Sequence, residues 1–439
     1  MKNIVLTGLG AALGFCAGLA LLPLAYGAAD SDMSSAYHEL DRFGEAFAKV
    51  RDQYAEPTDD RLLVEYAIGG MMSDLDPHSS YFDPKTFADM QVKTEGQYGG
   101  VGLVISAESG AIKVISPIDD TPAARAGIKA GDDILAIDGD VLQGKSQDQV
   151  QQKLRGIAGT KVTLTILRTG TKDSFDVKLM RAAIEVEAVR FHRQGDVGYI
   201  RIPAFNERTD EGVQTAVRDL KKQIGPGLKG YIIDLRDDGG GVLDQAIAVS
   251  DDFLDGGEIV STHGRHPQDT ERYDAKPGDI ADGKPIIILI NGGTASASEI
   301  VAGALQDHQR AKVLGTTSFG KASVQTVIPL NGGEDGALHM TTARYYTPSG
   351  RSIQATGIIP DIAVAASDQD SGDASQFVES ESVLPHHLAA EGSAAPVVAA
   401  PLIRPEPGKT YDDFQLSYAV DVLDGKAKTS AVASTATGN

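Results

Sequence analysis

Ser296, Lys321 and Gln325 are the side chains of this sequence whose types and spacing suit chemistry on a carbonyl group. Ser296 lies in Gly292-Gly-Thr-Ala-Ser-Ala-Ser-Glu299, which follows the apolar run from Pro285 to Asn291 and opens a helix-like segment. A hydroxyl between the end of a buried strand and the start of a helix meets unpaired backbone N–H groups and the positive end of the helix dipole. Both can hold a developing oxyanion. Lys321, in Thr317-Ser-Phe-Gly-Lys-Ala-Ser-Val-Gln325, sits at a glycine turn past a short strand, flanked by Phe319 and Val324. In water a lysine keeps its proton to about pH 10.4, but burial disfavours the ammonium and can lower that value by several units. The neutral amine can then take a serine proton. Gln325 can accept or donate a hydrogen bond that fixes the amine in place.

Each of these residues has a plainer role to compete with. Ser296 with Glu299 matches a helix capping box, in which case its hydroxyl is tied to the first turn. Thr294 and Ser298 are rival caps, either of which would free Ser296. A Ser-His-Asp triad is the rival mechanism, yet Gly-x-Ser-x-Gly is absent around Ser296, and His308 lies about three turns along the same helix, out of reach. His78, His192, His263, His266 and His339 can approach only through long-range folding. His386-His387 has no partner ligands nearby, so neither a metal nor any other cofactor is expected.

The chain of 439 residues is long enough for two or three cored domains. Its net charge of −21 argues against nucleic acid or an anionic membrane surface as partner, since phosphate recognition needs clustered Lys and Arg. Polypeptides or small molecules fit better. Residues 1–29 carry one charge, Lys2, before a Leu-, Ala- and Gly-rich stretch close to the roughly 20 residues that span a bilayer, so this segment reads as a signal peptide or a membrane anchor. Either implies export. The only cysteine, Cys16, lies inside that segment after the bulky Phe15, which disfavours lipidation and leaves no disulfide for the mature domain.

Residues 30–95 read as helical, with Tyr37, Leu40, Phe43, Phe47 and Val50 at three- and four-residue spacing and a loop at Leu75-Asp-Pro-His-Ser-Ser-Tyr81. From 96 to 183 the texture changes to short strands and turns. Here Gly99-Gly-Val-Gly-Leu103 and Thr121-Pro-Ala-Ala-Arg-Ala-Gly-Ile-Lys-Ala-Gly-Asp132 resemble a bacterial PDZ domain. Gly100, Val101, Gly102 and Leu103 would let backbone N–H groups converge on a peptide carboxylate beside an open strand edge. Val150 and Leu154 would wall that groove or serve as ordinary core residues. From 184 to 365 strand-like runs alternate with helical ones, an α/β pattern of parallel strands under helices. The polar excursion 256–284 interrupts it as a loop or hairpin over the site. Residues 366–439 read as a low-complexity, largely unordered tail with a short helix at 411–423.

Taken together, Leu75-Asp-Pro-His-Ser79, the PDZ loop, Asp234-Leu-Arg-Asp-Asp-Gly-Gly-Gly241, Thr294-Ala-Ser-Ala-Ser-Glu-Ile300, Phe319-Gly-Lys321 and Tyr346-Thr-Pro-Ser-Gly-Arg-Ser-Ile353 with Gly357-Ile-Ile-Pro-Asp361 resemble the carboxy-terminal processing (tail-specific) proteases, peptidase family S41. The resemblance implies a crotonase-like α/β catalytic core with an inserted PDZ domain. It implies Ser296 as nucleophile, Lys321 as general base and Gln325 as the residue orienting the lysine. One oxyanion donor would be a backbone N–H of Gly240 or Gly241, the other that of Ala297. Asp238 stands where the family often has Asn. Arg168 resembles an arginine that couples ligand sensing to the active site. The implied substrates are exported polypeptides with apolar C-termini in the bacterial periplasm. An adaptor protein and a homo-oligomer are compatible with the resemblance, and neither is fixed by it. A non-catalytic PDZ scaffold is the alternative.

Overall fold

Two helices open the chain in the computed structural model, which describes residues 23–108, 111–118, 120–145, 147–168, 171, 173–185, 187–366, 380–391, 402–406 and 408–427. They are α1 (Pro23–Gln53) and α2 (Asp60–Ser73). Most of the expected leader, Cys16 included, lies outside the described residues. Among these, no helix is long and apolar enough to cross a membrane. Tyr37, Leu40 and Phe43 recur at helical spacing on α1, and all three are exposed. The described residues up to Met71 form one compact unit, and those from Met72 onward form another.

After the Asp76–Ser79 turn come β1 (Ser80–Phe82) and α3 (Pro84–Glu95), which Asp83 caps by accepting from the Thr86 N–H. The strand-and-turn region is a module whose two ends lie side by side, because β2 (Gln97–Gly100) pairs antiparallel with β9 (Ala182–Glu185). Between them run β3 (Leu103–Glu108), β4 (Ala111–Pro117), α4 (Pro122–Arg125), β5 (Asp133–Ile137), β6 (Asp140–Val141), α5 (Gln147–Leu154), β7 (Lys161–Leu167) and β8 (Phe175–Met180). The sheet order is β3-β4-β5-β7-β8, so β3 is an edge strand, with α5 packed beside it. Burial follows the two-residue period of a strand: Val162, Leu164 and Ile166 on β7 all face the module core.

The second sheet has the order β10-β11-β12-β15-β16-β19, from β10 (Arg190–Gln194), β11 (Val197–Arg201), β12 (Gly230–Asp234), β15 (Ile286–Ile290), β16 (Ala311–Gly315) and β19 (Ile362–Ala363). It is parallel from β11 onward, with β10 antiparallel at the edge. All five residues of β12 and all five of β15 are buried, as expected for strands covered on both faces. One face carries α6 (Thr209–Ile224), α7 (Leu243–Phe253) and α8 (Ala297–Asp307). The other carries α9 (Phe414–Leu423), whose Phe414, Ala419 and Val422 pack on Ile232, Ile287 and Leu289.

Two expectations are corrected. The 256–284 excursion does form a hairpin, β13 (Gly257–Gly264) with β14 (Thr270–Ala275), but it belongs to a further sheet with β17 (Ser323–Pro329) and β18 (Ala337–Tyr346). It therefore pairs with the core and does not cover the site. The tail is ordered over 380–391, where Glu381 is fully buried between His78 and Gln354. The short helix expected at 411–423 is present as α9, whose N-cap Asp413 binds Arg236 of the Asp234-Leu-Arg motif at 2.7 Å. The predicted low-complexity stretches at 367–379, 392–401 and 428–439 lie outside the described residues.

Candidate active site

The β15–α8 turn brings Ser296 to the N-terminus of α8 with φ 56° and ψ −117°, a left-handed backbone that side-chain-bearing residues rarely adopt. Such a conformation costs on the order of 1–3 kcal/mol and persists where the surroundings impose it. Here Ser296 N–H donates to Glu299 Oε2 at 2.9 Å, and Ala295 N–H donates to the Asp238 carbonyl at 2.9 Å. The Tyr345 hydroxyl, fully buried, lies 3.2 Å from the Ser296 carbonyl and 2.7 Å from that of Lys321. Neither rival cap takes over from Ser296. Thr294 Oγ1 donates to Leu235 O at 2.7 Å, Ser298 Oγ donates to Asp238 O at 3.1 Å, and Ser296 itself holds the N-cap position.

Glu299, with no exposed surface, gathers the base loop around α8. Its Oε1 accepts from Ser318 Oγ at 2.5 Å and Gly320 N–H at 2.8 Å, and its Oε2 accepts from Lys321 N–H at 2.9 Å. Burial pushes its carboxyl up to about 7, against the pull of those donors. Gly320, at φ 93°, is required because a Cβ there would stand 2.9 Å from the Gly357 nitrogen. The Lys321 ammonium is held below its ordinary value chiefly by burial, which outweighs the opposing charges of Glu381, Glu299 and Asp76. Gln325, next along on β17, donates from Nε2 to Ser323 Oγ at 2.9 Å and Thr341 Oγ1 at 3.0 Å.

On the other side of the serine, the glycine loop that follows β12 presses against it. A Cβ on Gly240 would lie 2.7 Å from Ala295 O, 2.8 Å from Ala297 N and 2.9 Å from Ser296 Cβ. In this conformation the Gly240 N–H donates to Asp238 Oδ1 at 2.8 Å, so it is not aimed at a substrate. Asp238 is fully buried, its Oδ2 has no partner, and burial pushes its carboxyl up to about 7. Ala297 is the first residue of α8, where an N–H has no acceptor within the helix.

One cavity of about 700 Å³ is lined by Ser296, Ala297, Lys321, Gln325 and Gly239 to Gly241 together. Tyr345, Tyr98 and Arg155 also line it, unmarked by the sequence, as does His339, which the sequence allowed to approach through long-range folding. Arg155 stands 4.9 Å from the Tyr98 ring centroid, and no local pattern marks either residue. His339 stacks on Phe82 at 5.0 Å and donates a ring N–H to the His78 backbone, so a carbonyl and not the carboxylate of a triad orients its ring. His308 is tied to Glu258 O at 2.7 Å, away from the cavity.

In the module, Gly102 adopts φ 78°, and its carbonyl accepts from Ile118 N–H and Thr121 Oγ1. Val101 is buried, and Leu103 starts the edge strand. Val150 and Leu154 are 0% and 6% exposed within the module core, so they fill it and do not wall an open groove. Arg168 is held inside the module by a two-pronged bond to Asp132, at 2.8 and 2.7 Å, and does not line the cavity.

Residues 196–364 match the model of peptidase family S41, residues 93–179 that of the PDZ domain, and residues 25–86 that of the activating protease CtpB N-terminal domain. A carboxy-terminal-processing protease of Bartonella bacilliformis is 48% identical over 414 residues, covering 92% of this chain and 93% of its own length. A carboxyl-terminal-processing protease of Synechocystis is 38% identical over 71% of this chain and 74% of its own. Among solved structures, the photosystem II D1 C-terminal processing protease aligns with 31% identity over 75% of this chain and 91% of its own, at a TM-score of 0.42.

Proposed function

Because the chain belongs to the carboxy-terminal processing serine proteases of peptidase family S41, we propose that it cuts exported polypeptides with Ser296 as nucleophile and Lys321 as general base. The observation that carries this reading is the single cavity lined by Ser296, Lys321, Gln325 and the glycine loop, with the lysine amine depressed by burial. Neutral Lys321 takes the Ser296 hydroxyl proton as Oγ bonds to the scissile carbonyl carbon, and the displaced electron pair moves onto the carbonyl oxygen. The N–H groups of Ala297 and Gly241 receive that oxyanion. Gly240 joins them only when Asp238 releases its N–H. Collapse expels the amine, which takes the proton from Lys321, and leaves an acyl-enzyme. Water, deprotonated by the same lysine, then frees the carboxylate and the serine. Gln325 orients the lysine.

In this reading the core is crotonase-like, with its parallel sheet and three helices on one face supporting the site. The PDZ module takes the substrate's apolar C-terminus along the free edge of β3, beside Gly100 to Leu103. Tyr98 and Arg155 support a gating role, since moving the module would reshape the cavity they line. The leader-like residues 1–29 support action in the periplasm, either anchored or released.

The test is cleavage of an unfolded exported polypeptide by the wild type, Ser296→Ala and Lys321→Ala. The expected loss for each variant is about a hundredfold or more. Equal turnover by all three would remove the mechanism.

A further inference from the structure

The Asp76-Pro-His-Ser79 turn, more than two hundred residues from the base in sequence, reaches Gln325 through the Thr341 hydroxyl. Asp76 is 4% exposed, and its Oδ1 accepts from the N–H groups of His78 and Ser79 and from Thr341 Oγ1 at 3.1 Å. Its Oδ2 accepts from Ser79 Oγ at 2.7 Å. Burial alone would raise this carboxyl, but the donors outweigh it and hold it below its ordinary value, so it is ionised and can only accept. Thr341 lies opposite Gln325 across β17 and β18, at the register irregularity between Val324 and Gln325.

A threonine hydroxyl has one proton. With that proton committed to Asp76, Thr341 Oγ1 can only accept from Gln325. A carboxamide turned the other way would set oxygen against a lone pair. Ser323 Oγ, at 2.9 Å, gives Nε2 its second acceptor. The carboxamide oxygen is thereby turned away from both hydroxyls, and Gln325 and Lys321 line the same cavity.

We propose that Asp76 and Thr341 are positioning residues for the base: the bond from the Thr341 hydroxyl to the Asp76 carboxylate decides which end of the Gln325 carboxamide faces Lys321. This deepens the reading of Lys321 as general base and rests on it. An amide oxygen facing the amine holds it by an N–H donor and favours the ammonium; an amide nitrogen there would do neither. The other titratable groups around the lysine are Glu299 on α8, Tyr345 on β18, Glu381 in the tail segment, and His339 and His78 beside Asp76.

The test compares peptide cleavage by the full-length wild type, Thr341→Val, Thr341→Ser, Gln325→Ala and the Thr341→Val/Gln325→Ala pair across pH. Thr341→Val is expected to lower kcat by about tenfold with KM little changed, as for a displaced catalytic group. It should also move the acid limb of kcat/KM to lower pH, because the ammonium loses its acceptor. Partial unfolding would lower the amount of active enzyme without moving that limb. Thr341→Ser restores the rate, and Thr341→Val adds nothing to Gln325→Ala. A Thr341→Val enzyme with the wild-type rate and limb, or losses that multiply in the double variant, overturns the proposal. Neutron diffraction on the wild type provides a readout independent of any variant: Nε2 deuterons aimed at Thr341 and Ser323 support the relay, and the flipped amide refutes it. An active Ser296→Ala enzyme would instead remove the underlying mechanism, so the two failures are distinguishable.

Discussion

The two buried carboxyls beside Ser296, Glu299 in the first turn of α8 and Asp238 in the glycine loop, are both pushed up to about 7, and their surroundings are built to opposite specifications. On the base side, Glu299 has both oxygens occupied by four donors drawn from Ser296, Ser318, Gly320 and Lys321. On the oxyanion side, Asp238 holds one backbone N–H with Oδ1 and leaves Oδ2 unpartnered. A fully satisfied buried acid fixes the chain around it, whereas a half-satisfied one retains a reason to move. In the proposed mechanism the lysine must be pre-positioned, while the glycine loop adds Gly240 as a further donor only by releasing a bonded N–H. The difference in hydrogen bonding matches the difference in task.

The sharpest way to break this comparison is Glu299→Gln. One oxygen becomes an NH2 group facing two donors, either Ser318 Oγ and Gly320 N–H or Ser296 N–H and Lys321 N–H, which should cost about 2–5 kcal/mol of stability and at least a hundredfold in kcat. Denaturant melts and single-turnover cleavage check it. A variant as stable and active as the wild type would show that Glu299 does not organise the base loop.

The lysine gives the next largest effect. Only its neutral form accepts the serine proton, so kcat/KM should rise about tenfold per pH unit below the folded-state value of Lys321 and level off above it. That value lies under the ordinary 10.5, so the plateau begins earlier than a solvated lysine allows. A profile still climbing beyond pH 10.5 would contradict the buried amine.

Asp238→Asn probes the looser side and should have the smallest effect. A carboxyl raised from 3.8 to about 7 on folding binds its proton more tightly in the native state. Its contribution is complete below pH 3.8 and is lost as pH rises through about 7. The Asn variant buries no charge, so its advantage in melting temperature over the wild type should grow between pH 5 and pH 8, reaching a few degrees. A constant difference across that range would mean Asp238 stays ionised throughout.

Much of the site was legible in the sequence because its parts are local. An apolar strand followed by Thr294-Ala-Ser-Ala-Ser-Glu299 specifies a strand-to-helix turn, and Gly320 marks a backbone that no side chain permits. Val150 and Leu154 were ambiguous because core and groove residues share one helical spacing, and only packing told them apart. Residues 380–391 read as unordered since composition registers average polarity, whereas a few specific bonds tie the segment to the core: Glu381 to His78 and Gln354, Leu388 O to Gln354 and Ala389 O to Arg344.

The sequence by itself determined which residue types can act, where the strands and helices lie, and the family to which they belong. Only the tertiary structure decided that Thr341 and Asp76 stand behind Gln325, that Tyr345 bridges the nucleophile and base loops, and that Asp238 holds Gly240. Periodicity and turn chemistry are written in neighbouring residues. A hydrogen bond's direction depends on every partner it has, and these partners come from elements that meet only when the chain is folded.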